Sequence, residues 1–207
     1  SLLACGLEGE IPRRGAEPAP FVRMPVMGPV ASCRRWGAER VKILVMGNQA
    51  GAGHTHEDKG SFVLEFAGDT FAMDPGTCDY SHPLAAMLSH CERHNMLVPY
   101  GVEERPAPQK PLMTSILPRA RGDRRRFRAE ADFSPGWEPY YRRWTRRWDS
   151  PAPDRLVIRD DYELIRGEGV DWFWQTRLEV VHADGRIRIR GRRGAVEIVP
   201  PPGAEIR

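Results

Sequence analysis

Arg186-Ile187-Arg188-Ile189-Arg190 alternates charge and hydrocarbon without a break. Only a backbone of period two puts all three arginines on one face and both isoleucines on the other. The same period runs through Ser61 to Phe66, where Phe62, Leu64 and Phe66 share a face. Turn formers separate such runs: Gly37-Ala38-Glu39-Arg40, Ala67-Gly68-Asp69 and Ala183-Asp184-Gly185. Short alternating runs about 8–12 residues apart, with no long stretch of helical period, specify an all-β chain folded as an antiparallel β-sandwich.

The remaining texture fits that class. Apolar runs at Met24 to Cys33 and Val41 to Met46 flank the first turn and predict a hairpin. Thr70 to Met73 returns from the strand ending at Phe66. Pro83 to Cys91, with Leu84, Met87 and Leu88 at helical spacing, predicts one or two helical turns. Met96 to Tyr100 is extended, and Glu103 to Lys110 is a Pro-containing loop. In Tyr140 to Trp148, strict alternation places Tyr140, Arg142, Trp144 and Arg146 on one face and Tyr141, Arg143, Thr145 and Arg147 on the other. Short strands are expected at Leu156 to Ile158 and Tyr162 to Ile165, a longer one over Val170 to Val181, and a last one at Val196 to Val199 before Pro200. Residues 1–20, with Pro12, Pro18 and Pro20, read as a linker or tail from a preceding domain, and 21–207 as one β domain. Ser1-Leu2-Leu3-Ala4-Cys5 is too short and uncharged for a full signal peptide and reads as a chain cut from a longer one.

Composition narrows the partners. No apolar run is long enough to span a membrane. The net charge is +3, but arginine crowds the stretch from Arg119 to Arg147, so that region is either a solvated sheet face or an attractor of polyanions. The 4 cysteines form no CxxC pair, which argues against a cysteine zinc knuckle.

The chemistry concentrates elsewhere. Of 6 histidines, all but one fall between Gly53 and Asn95: His54, His56, His82, His90 and His94. Imidazole is the commonest metal ligand and the usual neutral-pH acid or base. Gly47, Gly51 and Gly53 make the approach to His54 a loop that lets backbone come close to a neighbour. The hairpin from Ser61 to Met73 returns the chain so that Asp74 lies near His54 and His56. Two imidazoles and a carboxylate form a common zinc set; histidines that merely hydrogen-bond are the other reading.

The ordered set His54-Thr55-His56-Glu57-Asp58, Ser61-Phe62 with its strand, Asp74-Pro75-Gly76 and His94-Asn95 resembles the C-terminal β-domain of the heparinase II/III polysaccharide lyases, and alginate lyases of the same superfamily share it. Met96 departs from the pattern, which often has Thr there. The resemblance implies a β-sandwich that follows a helical toroid not included in this chain. It implies a structural zinc held by His56, Asp74 and His94, and a catalytic contribution from His54, whose alternative role is to support the metal loop. Tyr80 would line the substrate cleft. Asp58 is either an acceptor that orients a ligand histidine or a turn cap, Asn95 holds a loop, and His82 and His90 match no functional position. The activity implied is β-elimination on an acidic, uronate-containing polysaccharide of heparan sulfate or alginate type, in a periplasmic or secreted protein, with nucleic acid an unlikely partner. A zinc-stabilised glycan-binding or interaction sandwich without catalysis, and a uronyl C5-epimerase, are the competing functions.

Overall fold

In the computed structural model the described residues are 17–51, 53–104, 106–110 and 114–206. Most of the expected linker therefore lies outside them. Four antiparallel sheets carry the fold. The first is a meander of β1 (Phe21–Arg23), β2 (Val30–Trp36), β3 (Glu39–Val45), β4 (Phe62–Phe66) and β5 (Asp69–Ala72), paired in sequence order. The second runs in the order β10 (Arg155–Leu164), β9 (Tyr141–Ala152), β8 (Phe127–Asp132) and β7 (Arg119–Gly122). A two-stranded sheet pairs β6 (Leu97–Tyr100) with β11 (Gly169–Trp172). The last joins β12 (Glu179–Ala183), β13 (Arg186–Arg190) and β14 (Ala195–Ile198). Among the described residues the only α-helical segment is one turn, α1 (Ala85–Leu88), at the place the Leu84, Met87 and Leu88 spacing marks.

The core lies between the first two sheets. β4 buries Phe62, Leu64 and Phe66, as its alternation requires, and β3 adds Val41, Ile43 and Val45. Facing them, β8 and β9 bring in Phe127, Trp144 and Trp148, with Phe133 and Trp137 from the connection between those two strands. Trp137 meets Trp144 edge-on, with ring centroids 5.8 Å apart, a favoured aromatic geometry. Met96, the residue that departs from the motif, is fully buried in this core.

Two arginines are buried with these rings. Arg146, which has no exposed surface, grips Asp160 of β10 with a two-pronged ion pair at 2.6 and 2.9 Å. Its remaining guanidinium nitrogen donates to the carbonyls of Gly60 and Asn95, at 2.8 and 2.9 Å. Trp144 and Trp148 lie alongside, their ring centroids 5.2 and 5.9 Å from its Cζ. Arg34 of β2 reaches Ser150 at the far end of β9, donating 2.7 Å to its hydroxyl and also bonding the Arg125 carbonyl. Each guanidinium thus ties one sheet to the other.

Three sequence expectations are corrected. In β9, Tyr141 is buried and Arg142 exposed, the reverse of strict alternation. The register against β10 slips between Glu163 and Leu164, so Arg142 is an extra residue that resets the faces. The two short strands expected at Leu156 and Tyr162 are one continuous strand, β10. The long strand expected over Val170 to Val181 stops at Trp172 and resumes at Glu179. Between those points the chain bonds elsewhere: Phe173 N–H donates to Met96 O, Trp174 Nε1 to Phe71 O, and Gln175 N–H to the Asn95 side chain.

The glycine loop after β3 does make a close approach. A Cβ on Gly47 would fall 2.5 Å from the Gly28 carbonyl oxygen, so a side chain there would force apart two backbones.

Removing the Asp160 carboxylate would strand a buried guanidinium. Asp160→Ala is expected to cost about 3–5 kcal/mol, whereas Glu163→Ala, which breaks an exposed pair with Arg142, should cost about 0–1 kcal/mol. Urea denaturation of the two variants measures both; equal losses would contradict the role given to Arg146.

Candidate metal centre and its histidine–tyrosine neighbour

Four loop segments converge at the open ends of β4 and β5. The first carries His54 and His56. His54 has φ +55°, a left-handed conformation uncommon for a side chain larger than glycine and one that concentrates at functional sites. It turns the imidazole toward Tyr80, whose hydroxyl lies 2.5 Å from His54 Nδ1. Tyr80 is 74% exposed, so this pair faces solvent.

His56 points the other way, toward His94, with ring centroids 5.4 Å apart. Asp74 lies two residues past the end of β5. Its Oδ1 accepts the Gly76 N–H at 2.8 Å, an Asx turn that the Asp-Pro-Gly sequence favours. His94 follows the short 3-10 turn Cys91–Arg93 and is completely buried. His94 Nδ1 lies 3.1 Å from Asp74 Oδ2. Ligand atoms of His56, Asp74 and His94 lie within 4.8 Å of one another. His94 Nε2 is buried without a hydrogen-bond partner. A buried ring nitrogen without a partner is costly unless it is a ligand, and two imidazoles with one carboxylate suit zinc, which leaves one position for water or another group. The residues therefore fit the metal that the sequence implies.

Burial pushes the His56 imidazole below its ordinary value, and the nearby His94 ring acts in the same direction. The neutral form needed for coordination is thereby favoured. Burial alone would raise the Asp74 carboxyl, but its bonds to His94 and the Gly76 amide more than offset this and hold it low.

Behind the triad, Asn95 fixes the segment. Its side-chain amide donates to Phe62 O at 2.7 Å and Met73 O at 3.1 Å, its Oδ1 accepts Gln175 N–H at 2.7 Å, and its own N–H donates to Ser61 Oγ at 3.0 Å. The expectation that Asn95 holds a loop is met with four bonds. Asp58 is buried and paired with Lys59 Nζ, while its carbonyl closes the turn by accepting Ser61 N–H at 2.9 Å. Lys59 is a buried charge that residue type alone did not mark. Its backbone is clamped on both sides by the Gln109 amide. His82 accepts the Leu84 N–H at the start of the helical turn and is exposed, while His90 is half-buried before the Cys91 turn. Neither joins the triad. Cys33, Cys78 and Cys91 are free thiols.

Comparison with known proteins bears on the family and the fold. A family model described as heparinase II/III-like, C-terminal, matches residues 18–201. Among solved structures, a heparinase III superposes with TM-score 0.69 at 16% identity, over 86% of this chain and 28% of its own. A mutant of heparan sulfate lyase HepC from Pedobacter heparinus gives TM-score 0.69 at 15% identity, over 88% of this chain and 29% of its own. At such identities the likeness is one of fold. The chain spans less than a third of the length of these structures. No curated protein matches the sequence.

The depressed values at His56 and Asp74 set the sign of the acid response. In each case the unfolded chain takes up its proton first, so stability falls with falling pH. For His56 the loss begins below its unfolded value of about 6.5, and for Asp74 below about 3.9. In chelator, melting temperature should therefore drop as pH is lowered from 7 towards 5, and His56→Gln should flatten that drop. An equally steep curve in the variant would place the titration elsewhere.

Proposed function

This chain belongs to the heparinase II/III-like C-terminal family, and on that premise we propose that it is the β-sandwich part of a lyase cleaving an acidic, uronate-containing polysaccharide such as heparan sulfate. The observation that carries the reading is the pairing of His54 with Tyr80 at 2.5 Å, exposed to solvent beside the set of half-buried His56 and Asp74 and buried His94. In β-elimination a base removes the uronate C5 proton, the C4–O4 bond breaks, a C4=C5 double bond forms and the departing O4 receives a proton. The carboxylate on C5 must be neutralised for the proton to leave, since hydrogen-bond donors there stabilise the enolate-like charge. His54 acts as one proton carrier, on an imidazole exposed to solvent. Tyr80, sharing a hydrogen bond with it, orients the ring and lines the cleft. The neutralising group and the second proton carrier come from an upstream helical domain.

Zinc held by His56, Asp74 and His94 supplies stability, drawing three loop ends together. His54 is held by the same loop but stands outside the triad, bonded to Tyr80 through Nδ1 and left with Nε2 for substrate. Its left-handed backbone, which separates its side chain from that of His56, supports that division of labour. The protein works in the periplasm or outside the cell. A uronyl epimerase would share the proton abstraction but leave the chain uncut, so unsaturated product separates the two.

In the intact protein, His54→Ala should lower kcat/KM on heparan sulfate by about 10²–10⁴-fold, with zinc content and melting temperature unchanged. A residue that only supported the metal would instead weaken zinc affinity by about 10–100-fold. Zinc analysis and the ultraviolet absorbance of unsaturated product, read on one preparation, distinguish them. Zinc loss in the variant, or full activity with zinc retained, would overturn the assignment.

A further inference from the structure

The arginine-rich stretch folds into one sheet, and its register sorts the charges. Facing away from the tryptophan core, Arg119, Glu130, Arg147 and Arg159 form one row across β7, β8, β9 and β10. The next row, two residues along, holds Arg121, Arg128, Asp149 and Val157. Five arginines against two carboxylates leave an excess of three positive charges on these two rows. Neighbouring strands lie about 4.8 Å apart, so like charges stand close. Arg147 is bonded to Glu130 and faces Arg159 directly. Among the described residues, Arg119, Arg121, Arg128 and Arg159 are exposed and have no carboxylate within ion-pair distance, whereas every pair on this sheet that does form uses Arg142, Arg143, Arg146 or Arg147.

The contrast with β13 is informative. That strand carries three outward arginines, but Arg186 pairs with Glu197, Arg190 with Glu179, and Arg188 stands opposite Glu197. The β13 face keeps an excess of one positive charge, three arginines against Glu179 and Glu197, whereas the β7–β10 face keeps an excess of three. Like charges directly opposite destabilise a sheet, so the uncompensated face is suited to an anionic ligand. Guanidinium forks match sulfates and carboxylates two-pronged. No aromatic side chain occupies either row, so the stacking platforms that hold single-stranded nucleic acid are missing.

We propose that the outer face of β7 to β10 is a second binding surface, distinct from the His54 and Tyr80 cleft, that holds a sulfated, uronate-containing polysaccharide through Arg119, Arg121, Arg128 and Arg159. The proposal rests on the polysaccharide reading given above. The face holds a long chain without touching the bond that is cut.

The test compares the intact protein with an R119Q/R121Q/R128Q/R159Q variant and with R186Q/R188Q/R190Q, which removes three arginines from another strand, as a control. R119Q/R121Q, confined to the edge strand β7, serves as a milder variant should the fourfold one melt early. Binding of heparan sulfate polymer is measured at low and moderate salt, and unsaturated product is followed from polymer and from a tetrasaccharide. The fourfold variant should bind polymer about 10-fold or more weakly, with a shallower salt dependence. Its KM on polymer should rise, while kcat and tetrasaccharide turnover stay as in the parent. The milder variant should fall between, and the control should match the parent. Polymer binding unchanged in the arginine variants, or lost equally in the control, overturns the proposal. So does single-stranded DNA held as tightly as polymer and lost in parallel, which would make the face a nucleic-acid surface. Weakened polymer binding in proteins that yield no unsaturated product would sustain this surface while the lyase reading fails.

Discussion

The guanidinium of Arg146 is the joint on which the domain turns. Moving such a charge out of water costs several kcal/mol per ion, and only full satisfaction offsets it. Asp160 supplies the opposite charge, the Gly60 and Asn95 carbonyls take a further nitrogen, and two indole rings cover the flanks. The bonds are directional, so they fix more than proximity. They set the height of the four-stranded sheet against the segment entering β4 and against the residue that follows His94. A hydrocarbon in place of Arg146 could fill the volume but would leave those two carbonyls without a donor.

From that joint the site inherits its geometry. Asn95 lies between the arginine and the candidate metal set. Its carbonyl faces Arg146, and its side chain reaches the start of β4, the end of β5 and Gln175. His94 is one residue away, so its ring is placed by a network that belongs to the core. The interruption of the strand expected over Val170 to Val181 follows from the same network. Residues 173–175 abandon the ladder to bond Met96, Phe71 and Asn95. An irregular backbone beside the site is the means by which four separate segments are held in register.

Much of this was legible in the residues. Period-two patterning located β4 and β13, because each has one face toward apolar neighbours: Phe62, Leu64 and Phe66 are buried, as is Ile189. The gathering of His56, Asp74 and His94 was legible through the ordered motif that carries the family resemblance, since aspartate alone is common and histidine alone leaves plain hydrogen bonding open. Strict alternation failed in β9, where one extra residue inverts the faces at Tyr141 and Arg142; a bulge depends on the partner strand and leaves no local mark. Arg34, Lys59 and Arg146 could not be recognised as buried from residue type, since charged side chains are rarely buried unless paired. For Arg146 a signal did exist: it sits midway between Trp144 and Trp148, at the spacing that shares a strand face. The pairing of His54 with Tyr80 depends on a positive φ, which a glycine-rich approach permits without specifying.

The clasp between Asp69 and Arg192 bears on the order in which the domain comes together. Asp69 accepts both the backbone N–H and the side chain of Arg192, at 2.7 and 2.8 Å, across 123 positions of sequence. Asp69 opens β5, the strand that precedes Asp74. Contacts so distant along the chain form slowly, because the intervening loop must close before they contribute. During synthesis the β4–β5 hairpin leaves the ribosome long before its clasp exists, and Arg192 completes it only near the end of the domain. A nascent chain halted before β13 would therefore carry all three candidate ligands while lacking this brace on the strand that precedes Asp74.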